Sequence, residues 1–362
     1  MTKKNDQQKF MIPVKYIWAA GIGVGGVIII AAVFWFWPRN QNIQPTNNNE
    51  SNEQVAVECD FRGNLDGLCR EFEDKAIPIA VMIDNHAEAR PPVGIDKASV
   101  VFEAIAEGTI TRLVAVFDSN TVPTDIGPVR SARPYFVDYA TEFGAVYVHV
   151  GGSDDALALL RSRASVYDLN EFSNGQYFWR DNSRYAPHNV MTSSELVKRA
   201  MTAKSWPTEG AFGVWVFRPE AELDNRGRMT SAYIDYRSPA HNVLWEYNRD
   251  LNVYERSQGG RKHKTADGSQ LMAKNIAVIY SESAPIDDYG RRETQTIGSG
   301  RAVVLQEGLV IEAEWRRDNL NQRTRFYHKQ TQAEISFVPG QTWIEILPDH
   351  FPDLTIEYPD EE

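Results

Sequence analysis

Val100 to Phe117 reads VVFEAIAEGTITRLVAVF, two apolar runs (Val100 to Ala106 and Arg112 to Phe117) parted by Glu107-Gly108-Thr109. Short runs rich in Val, Ile and Phe are strands, and the polar, glycine-bearing triplet between them is a hairpin turn. Upstream, Ile77 to Ile83 is a third such run, ending in Asp84-Asn85. Downstream, Ser131 to Phe143 predicts a helix with Pro134 in its first turn, and Ala145 to Val150 predicts a strand. Gly151-Gly152-Ser153 then opens a second helix, where Asp154 and Asp155 suit the positive end of the helix dipole. A third helix is predicted from Thr192, which precedes Glu195 at capping-box spacing. Strands interleaved with helices predict an α/β domain over 59–206.

The pattern changes after Trp206-Pro207. From Met229 onward, YIDYRS, VLWEYN, VYERS, NIAVIY, AVVLQ, LVIEAEW, RFYHK, EISFV and TWIEIL are strand-like segments, punctuated by Gly259-Gly260, Glu307-Gly308 and Pro339-Gly340. These predict a mainly-β domain over 229–350, separated from the first by a polar linker at 207–228 (ending RPEAELDNRGR) and followed by an acidic tail at 351–362.

Toward the N-terminus, Tyr16 to Trp37 (YIWAAGIGVGGVIIIAAVFWFW) carries no charge and, as a helix, is long enough for the roughly 30 Å hydrocarbon core of a bilayer. Its end in Phe34-Trp35-Phe36-Trp37 is unlike the small-residue cleavage site of a signal peptide. Lys3, Lys4, Lys9 and Lys15 precede it with only Asp6 opposing, so the positive-inside rule puts residues 1–15 in the cytoplasm and the bulk of the chain outside. The expected architecture is therefore one transmembrane helix, a solvated tether at 38–58, the extracytoplasmic α/β domain and the mainly-β domain. The chain has a net charge of −11, and the leader's four lysines less one aspartate contribute +3, leaving −14 outside. That balance argues against nucleic acid or anionic lipid as the main partner. Cys59 and Cys69, the only two cysteines, are expected to form a local disulfide in an oxidising compartment.

The densest chemical candidate is GPVRSARP, where Arg130 and Arg133 stand at the start of a helix. Free backbone N–H groups and two guanidinium forks suit a phosphate or carboxylate. The same arginines equally suit structural ion pairs with Glu103 and Glu107. Asp84-Asn85-His86 lies beyond a strand's carboxyl end, where α/β sheets gather ligands, so Asp84 is placed either to hold a divalent cation or to make an Asx turn. Arg90 and Arg112 flank this region in sequence. His149 precedes the Gly-Gly turn as a base, a ligand or a packed core histidine. Arg184, His188 and Asn189 occupy a loop before a helix, as site residues or as loop scaffolding. Serine-hydrolase elbow, HExxH, P-loop and dinucleotide motifs are absent from the sequence.

The motifs IPIAVMIDN, HAEARPPVG, ASVVFEAIAEGTITRLVAVF, IGPVRSARPYF, VYVHVGGS and APHNV resemble the N-terminal domain of the YerB-like family of bacterial envelope lipoproteins. LWEYNRDLNVYERSQGG, LMAKNIAVIY, VIEAEW and TRFYHKQTQAEISFVPGQTWIEILP resemble the same family's C-terminal domain, so the likeness covers nearly everything after Asn64. Both domains are of unknown function in that family. The resemblance implies an envelope address and a two-domain plan. This chain departs from the family in lacking a lipobox cysteine, and in having His263-Lys264-Thr265 where relatives often carry His-x-Asp. The order of strand-Asp, acidic hairpin, arginines before a helix and strand-Gly-Gly is also distantly similar to LytR–CpsA–Psr phosphotransferases, which handle polyprenyl-pyrophosphate glycans with arginines and aspartate-bound magnesium.

Two functions are thereby expected. The first is an envelope binding or scaffold protein, with an anionic ligand or glycopolymer in the arginine site, a protein partner on the β domain and no cofactor. The second is a phosphotransferase, for which alone Mg²⁺ would be needed. Convergence of Asp84, Arg112, Arg130 and Arg133 on one pocket is what a ligand site requires.

Overall fold

A computed structural model describes residues 59–121 and 123–359. The predicted leader (1–15), transmembrane helix (16–37) and tether (38–58) all lie outside them. Among the described residues, no helix is long and apolar enough to cross a membrane. Among the described residues strands predominate, and the α-helices are few, all of these between Pro134 and Ala203.

The hairpin that opened the sequence lies near the middle of a ten-stranded sheet to which both halves of the chain contribute. Its strands, in chain order, are β1 (Ile79–Asp84), β2 (Val100–Glu107), β3 (Ile110–Phe117), β4 (Val146–His149) and β5 (Tyr167–Asn170) from the first half. From the second come β6 (Asn275–Ser281), β7 (Gly298–Gln306), β8 (Leu309–Arg317), β9 (Arg325–His328) and β10 (Thr342–Pro348). They lie side by side in the order β9-β8-β7-β6-β10-β2-β3-β1-β4-β5. The halves join where β10 runs parallel to β2, Thr342 to Ile346 against Val100 to Ala104. β6 and β10 are buried along their whole length, and β2 along all but its last residue. That is why these segments read as continuous apolar runs rather than alternating ones.

One face of the sheet is covered by helices α1 (Pro134–Thr141) and α2 (Asp154–Ser162) together with Trp215, Phe326 and Phe337. Pro134 occupies the first turn of α1, and the Ser153 hydroxyl caps α2, as the sequence predicts. The other face is covered by a second sheet built from 231–234, 243–248, 253–258 and 355–357, and by a small three-stranded sheet carrying helix α3 (Ser194–Ala203). The tail beyond 351 thus contributes an edge strand, Thr355–Glu357, paired to Ser231–Tyr233.

Some local expectations shift. The cap of α3 is Ser193, whose Oγ accepts from Leu196 N at 3.2 Å. Thr192 belongs to a strand, and its hydroxyl donates to Tyr177 O. EISFV forms only isolated bridges at Glu334 and Phe337 rather than a strand. The segment 207–228 is pinned along its course, with Trp215 Nε1 donating to Thr324 O at 2.8 Å and Arg218 N to Phe337 O. Glu307 and Gly308 both take the left-handed conformation, the geometry of a tight turn between β7 and β8. Cys59 and Cys69 are joined in a disulfide.

Candidate functional site

Because side chains alternate along a strand, the end of β1 sends Asp84 and Asn85 to opposite faces of the sheet, and two polar clusters form back to back. On the helix-covered face, buried Asp84 lies directly across from Arg112 in the β1–β3 register. Asp84 Oδ2 accepts from His188 Nδ1 at 2.7 Å and lies 3.0 Å from Arg130 Nε in an unaligned charge contact. Oδ1 accepts from His86 N at 2.9 Å, so Asp84 makes the Asx turn as well. Both its oxygens are therefore engaged by protein groups.

Beside it, Glu107 gathers Arg112, at 2.9 Å, and Arg133. Arg112 also donates to Ser131 O, and Arg133 to Ala132 O. Burial alone would raise the Glu107 carboxyl, but Arg112 and Arg133 hold it below its ordinary value. Burial in turn lowers the Arg112 guanidinium. Asp84, Arg112, Arg130 and Arg133 do converge, yet Arg112, Arg130 and Arg133 each already face a carboxylate. Glu107 is a partner of Arg133, as one reading of the sequence had it, while Arg130 meets Asp84 and not Glu103.

Glu103 lies on the opposite face, fully buried, where the first half meets the second. Its carboxylate takes Arg256 in an ion pair and accepts from Gln258 Nε2 and from Asn85 Nδ2, each at 3.0 Å. Asn85 also donates to Thr111 Oγ1 and accepts from Arg90 Nε. Arg256 packs against the faces of Trp343 and Trp245, 4.5 and 5.5 Å from the ring centroids. Glu345, the register neighbour of Glu103, accepts from Trp245 Nε1 at 2.9 Å and Tyr236 OH at 2.8 Å. Burial, reinforced by the neighbouring Glu103, raises the Glu345 carboxyl to about 8.

Outside these clusters, two loops run together. Arg184 ties them, donating to Ala89 O and Pro91 O while pairing with Asp181. Asn189 accepts from Arg180 at 3.0 Å, and the loop so held carries His188 to Asp84. The imidazole of His86 stacks on that of His188, with centroids 4.7 Å apart. His149 stands apart, fully buried, with Nδ1 2.6 Å from Gly151 O and Nε2 2.8 Å from Asp168 Oδ1. Both nitrogens have protein partners.

Arg90 stands at the rim. It donates to Asn85 O and Ala240 O, has no carboxylate partner within ion-pair distance among the described residues, and burial lowers its guanidinium to about 10. On one side of it is a depression of about 510 Å³ whose wall includes Arg261, Lys262, His263 and Lys264 and no acidic residue. Of these, Lys262 also binds Glu246 and Glu255. A guanidinium cannot accept a hydrogen bond, so Arg256 donates to His263 Nδ1 and the neutral ring carries its proton on Nε2. That Nε2 is buried without a partner. Burial, then Arg256 and Arg90, holds His263 well below the usual histidine range. On the other side of Arg90 a second depression is walled by Glu88, Arg184, Tyr185 and His188.

The sequence reading overlooked His86, Glu88, Arg256, Gln258, Arg261 and Glu345 as site residues. His86 and Glu88 carried a legible signal, two ligand-type side chains two apart just beyond a strand. Glu345 and Arg256 sit inside apolar strand patterns, and only the register that brings β10 beside β2 reveals them.

The descriptions of the matching family models are "Protein of unknown function (DUF3048) N-terminal domain", over residues 66–207, and the corresponding C-terminal domain, over 232–344. "Putative lipoprotein YerB" of Bacillus subtilis is 34% identical over 275 residues, which is 75% of this chain and 81% of that protein. The crystal structure of B. subtilis YerB matches with a TM-score of 0.72 at 30% identity, covering 82% of this chain and 99% of that one. The shared arrangement of strands and the two matched domains lead to one assignment: this chain belongs to the DUF3048 family of YerB-like proteins.

Proposed function

We propose that the protein is a membrane-anchored, extracytoplasmic envelope protein that binds an anionic ligand, a phosphate-bearing glycopolymer or lipid headgroup, in the basic depression beside Arg90. The predicted membrane helix at 16–37 and the lipoprotein name carried by its B. subtilis relative support the address. The observation that carries the ligand class is the wall of the depression: Arg90, Arg261, Lys262 and Lys264 with no acidic lining residue, on a chain whose net charge is −11. A concentrated patch of cations on an acidic protein has to be maintained against a general excess of carboxylates that would neutralise it, and it focuses the local field on an incoming anion. Arg261 and Lys264 have no ion-pair partner among the described residues, which leaves their donors free for phosphate oxygens. In this reading Arg130 and Arg133 shape the floor behind His188 rather than touching the ligand.

Titration of the full-length chain with inorganic pyrophosphate, followed by calorimetry at two salt concentrations, tests it. Saturable binding that weakens with salt is expected, reduced at least tenfold in Arg261→Ala/Lys264→Ala. Arg130→Ala should leave the affinity within about twofold, since Arg130 lies outside the depression. Absence of binding at millimolar pyrophosphate, or equal binding by the Arg261/Lys264 variant, would overturn the assignment.

A further inference from the structure

The geometry points to a divalent transition-metal site at His86, Glu88 and His188, with Zn²⁺ the ion its ligand chemistry fits best. One nitrogen from each imidazole and a carboxylate oxygen of Glu88 lie within 4.8 Å of one another. Three features beyond proximity carry the inference.

The first is the state of His188. Its Nδ1 lies 2.7 Å from Asp84 Oδ2, and a carboxylate accepts, so Nδ1 bears a proton and Nε2 is the nitrogen that can offer a lone pair to a metal. A buried carboxylate behind a histidine is the arrangement that fixes the tautomer and raises the basicity of metal-bound imidazoles. Asp84 is itself held by Arg130 and the His86 amide, so the orientation is imposed from behind.

The second is what faces that lone pair. Glu88 Oε2 stands 3.6 Å from His188 Nε2, with the ring of His86 stacked alongside. Two acceptors set so close repel unless a cation lies between them, either a proton or a metal. Imidazole nitrogens joined by one carboxylate oxygen suit Zn²⁺ better than Mg²⁺ or Ca²⁺, which favour all-oxygen shells.

The third is adaptability. His188 is buried and anchored, whereas Glu88 is mostly exposed and the side chain of His86 is partly so. An in-plane lone pair from each ring cannot meet at one point while the rings are stacked, so metal entry requires rotation of His86, which its exposure permits. Three protein ligands leave a fourth position open, on the side of the depression shared with Arg90 and Arg184.

The test uses the full-length chain stripped with chelator, titrated with ZnCl₂ in a non-coordinating buffer without any phosphate compound, so its outcome is independent of pyrophosphate binding. One equivalent should bind, and Co²⁺ in its place should show visible ligand-field absorption. His86→Ala and Glu88→Gln remove exposed side chains and are expected to fold normally while weakening Zn²⁺ at least tenfold each. Asp84→Asn, which leaves the ligands in place, should weaken it about 10–100-fold. Failure to bind one equivalent at micromolar Zn²⁺ would overturn the proposal. So would unchanged affinity in both His86→Ala and Glu88→Gln, because the imidazole–carboxylate contact would then be bridged by a proton alone.

Discussion

Replacing Glu345 by Gln should scarcely change stability near pH 4.5 and should stabilise the fold increasingly above it, by about 3 kcal/mol at pH 6.5. Arg256 supplies one positive charge against two fully buried carboxyls, Glu103 and Glu345. Glu103 takes the guanidinium directly, so Glu345, raised from 4.5 to about 8, keeps its proton in the folded state at neutral pH. The unfolded chain releases that proton above about 4.5, so between 4.5 and 8 the native state binds one more proton than the unfolded one. Stability from this group therefore falls as pH rises through that window. From pH 6.5 to 8 the loss is at most about 2 kcal/mol, one proton over 1.5 pH units at about 1.4 kcal/mol each. His263 acts with the opposite sign: neutral in the fold and held well below 6.5, it costs stability as pH falls below that value. His241, lowered to about 4, acts with the same sign as His263, and both histidines are common to parent and variant, so their slopes cancel in the difference and the Glu345 slope alone is read. When Glu345 is neutral its O–H donates to the Tyr236 oxygen, and the Tyr236 hydroxyl turns to Glu103 O at 3.4 Å; glutamine, accepting from Trp245 and donating to Tyr236, replaces that neutral carboxyl group for group. The assay is urea unfolding of both proteins from pH 5 to 8.5, read as the difference between them. The variant should gain about a further 2 kcal/mol on the parent as pH rises from 6.5 to 8, an increment of roughly 4 °C in melting temperature. A flat difference curve, or severe destabilisation of Glu345→Gln at pH 6.5, would show that Glu345 is ionised and needed as a counter-ion.

The same network predicts a strong asymmetry around Arg256. Arg256→Met strands buried Glu103 without its partner and should cost on the order of 3–5 kcal/mol. Adding Glu103→Gln should recover a large part of that, which a denaturation double-mutant cycle measures; strictly additive losses would refute the coupling. The expected topology is tested by an impermeant protease acting on cells or protoplasts. It should remove the bulk of the chain and spare a fragment containing 16–37, and full protection after verified access would reverse the orientation.

Local chemistry was legible in the sequence wherever one segment sufficed to determine it. Val100–Phe117 announces its hairpin, Pro134 its helix start, and Cys59 and Cys69 their bridge, because each depends on neighbours a few residues away. Arg133 and Glu107 were also within reach, since the hairpin turn lies close to the helix start in an interleaved fold. Arg256 was not. It lies in VYERSQ in phase with Tyr254, but beside Glu255 and near Gln258 its charge reads as an ordinary solvent-facing residue of an edge or half-exposed strand. Its burial depends on a second sheet laid over β2 and β10, and no local period records that packing. Glu345 in TWIEILP is hidden in the same way, by a parallel pairing between residues more than 200 positions apart in the chain.

That pairing also governs where chemistry can occur. β10 beside β2 brings residues 240 and 258–264 against the loop that follows β1, so the basic depression has one wall from each half. Neither half alone possesses it. The buried Glu103–Arg256–Glu345 group lies directly behind that wall, with His263 as the link between them. A fully buried ion pair with a spare carboxyl is a weak source of net stability, since apolar residues of equal volume would serve as well. It does, however, penalise any other alignment of the two halves, because sliding the second half along β2 would carry Arg256 away from Glu103 and leave both buried charges unpaired. Fixing the register there also fixes Arg90 relative to Arg261 and Lys264. The geometry of the candidate ligand site is thus set by charges that do not touch the ligand, and this accounts for costly buried polar groups at the one seam where the halves must meet in register.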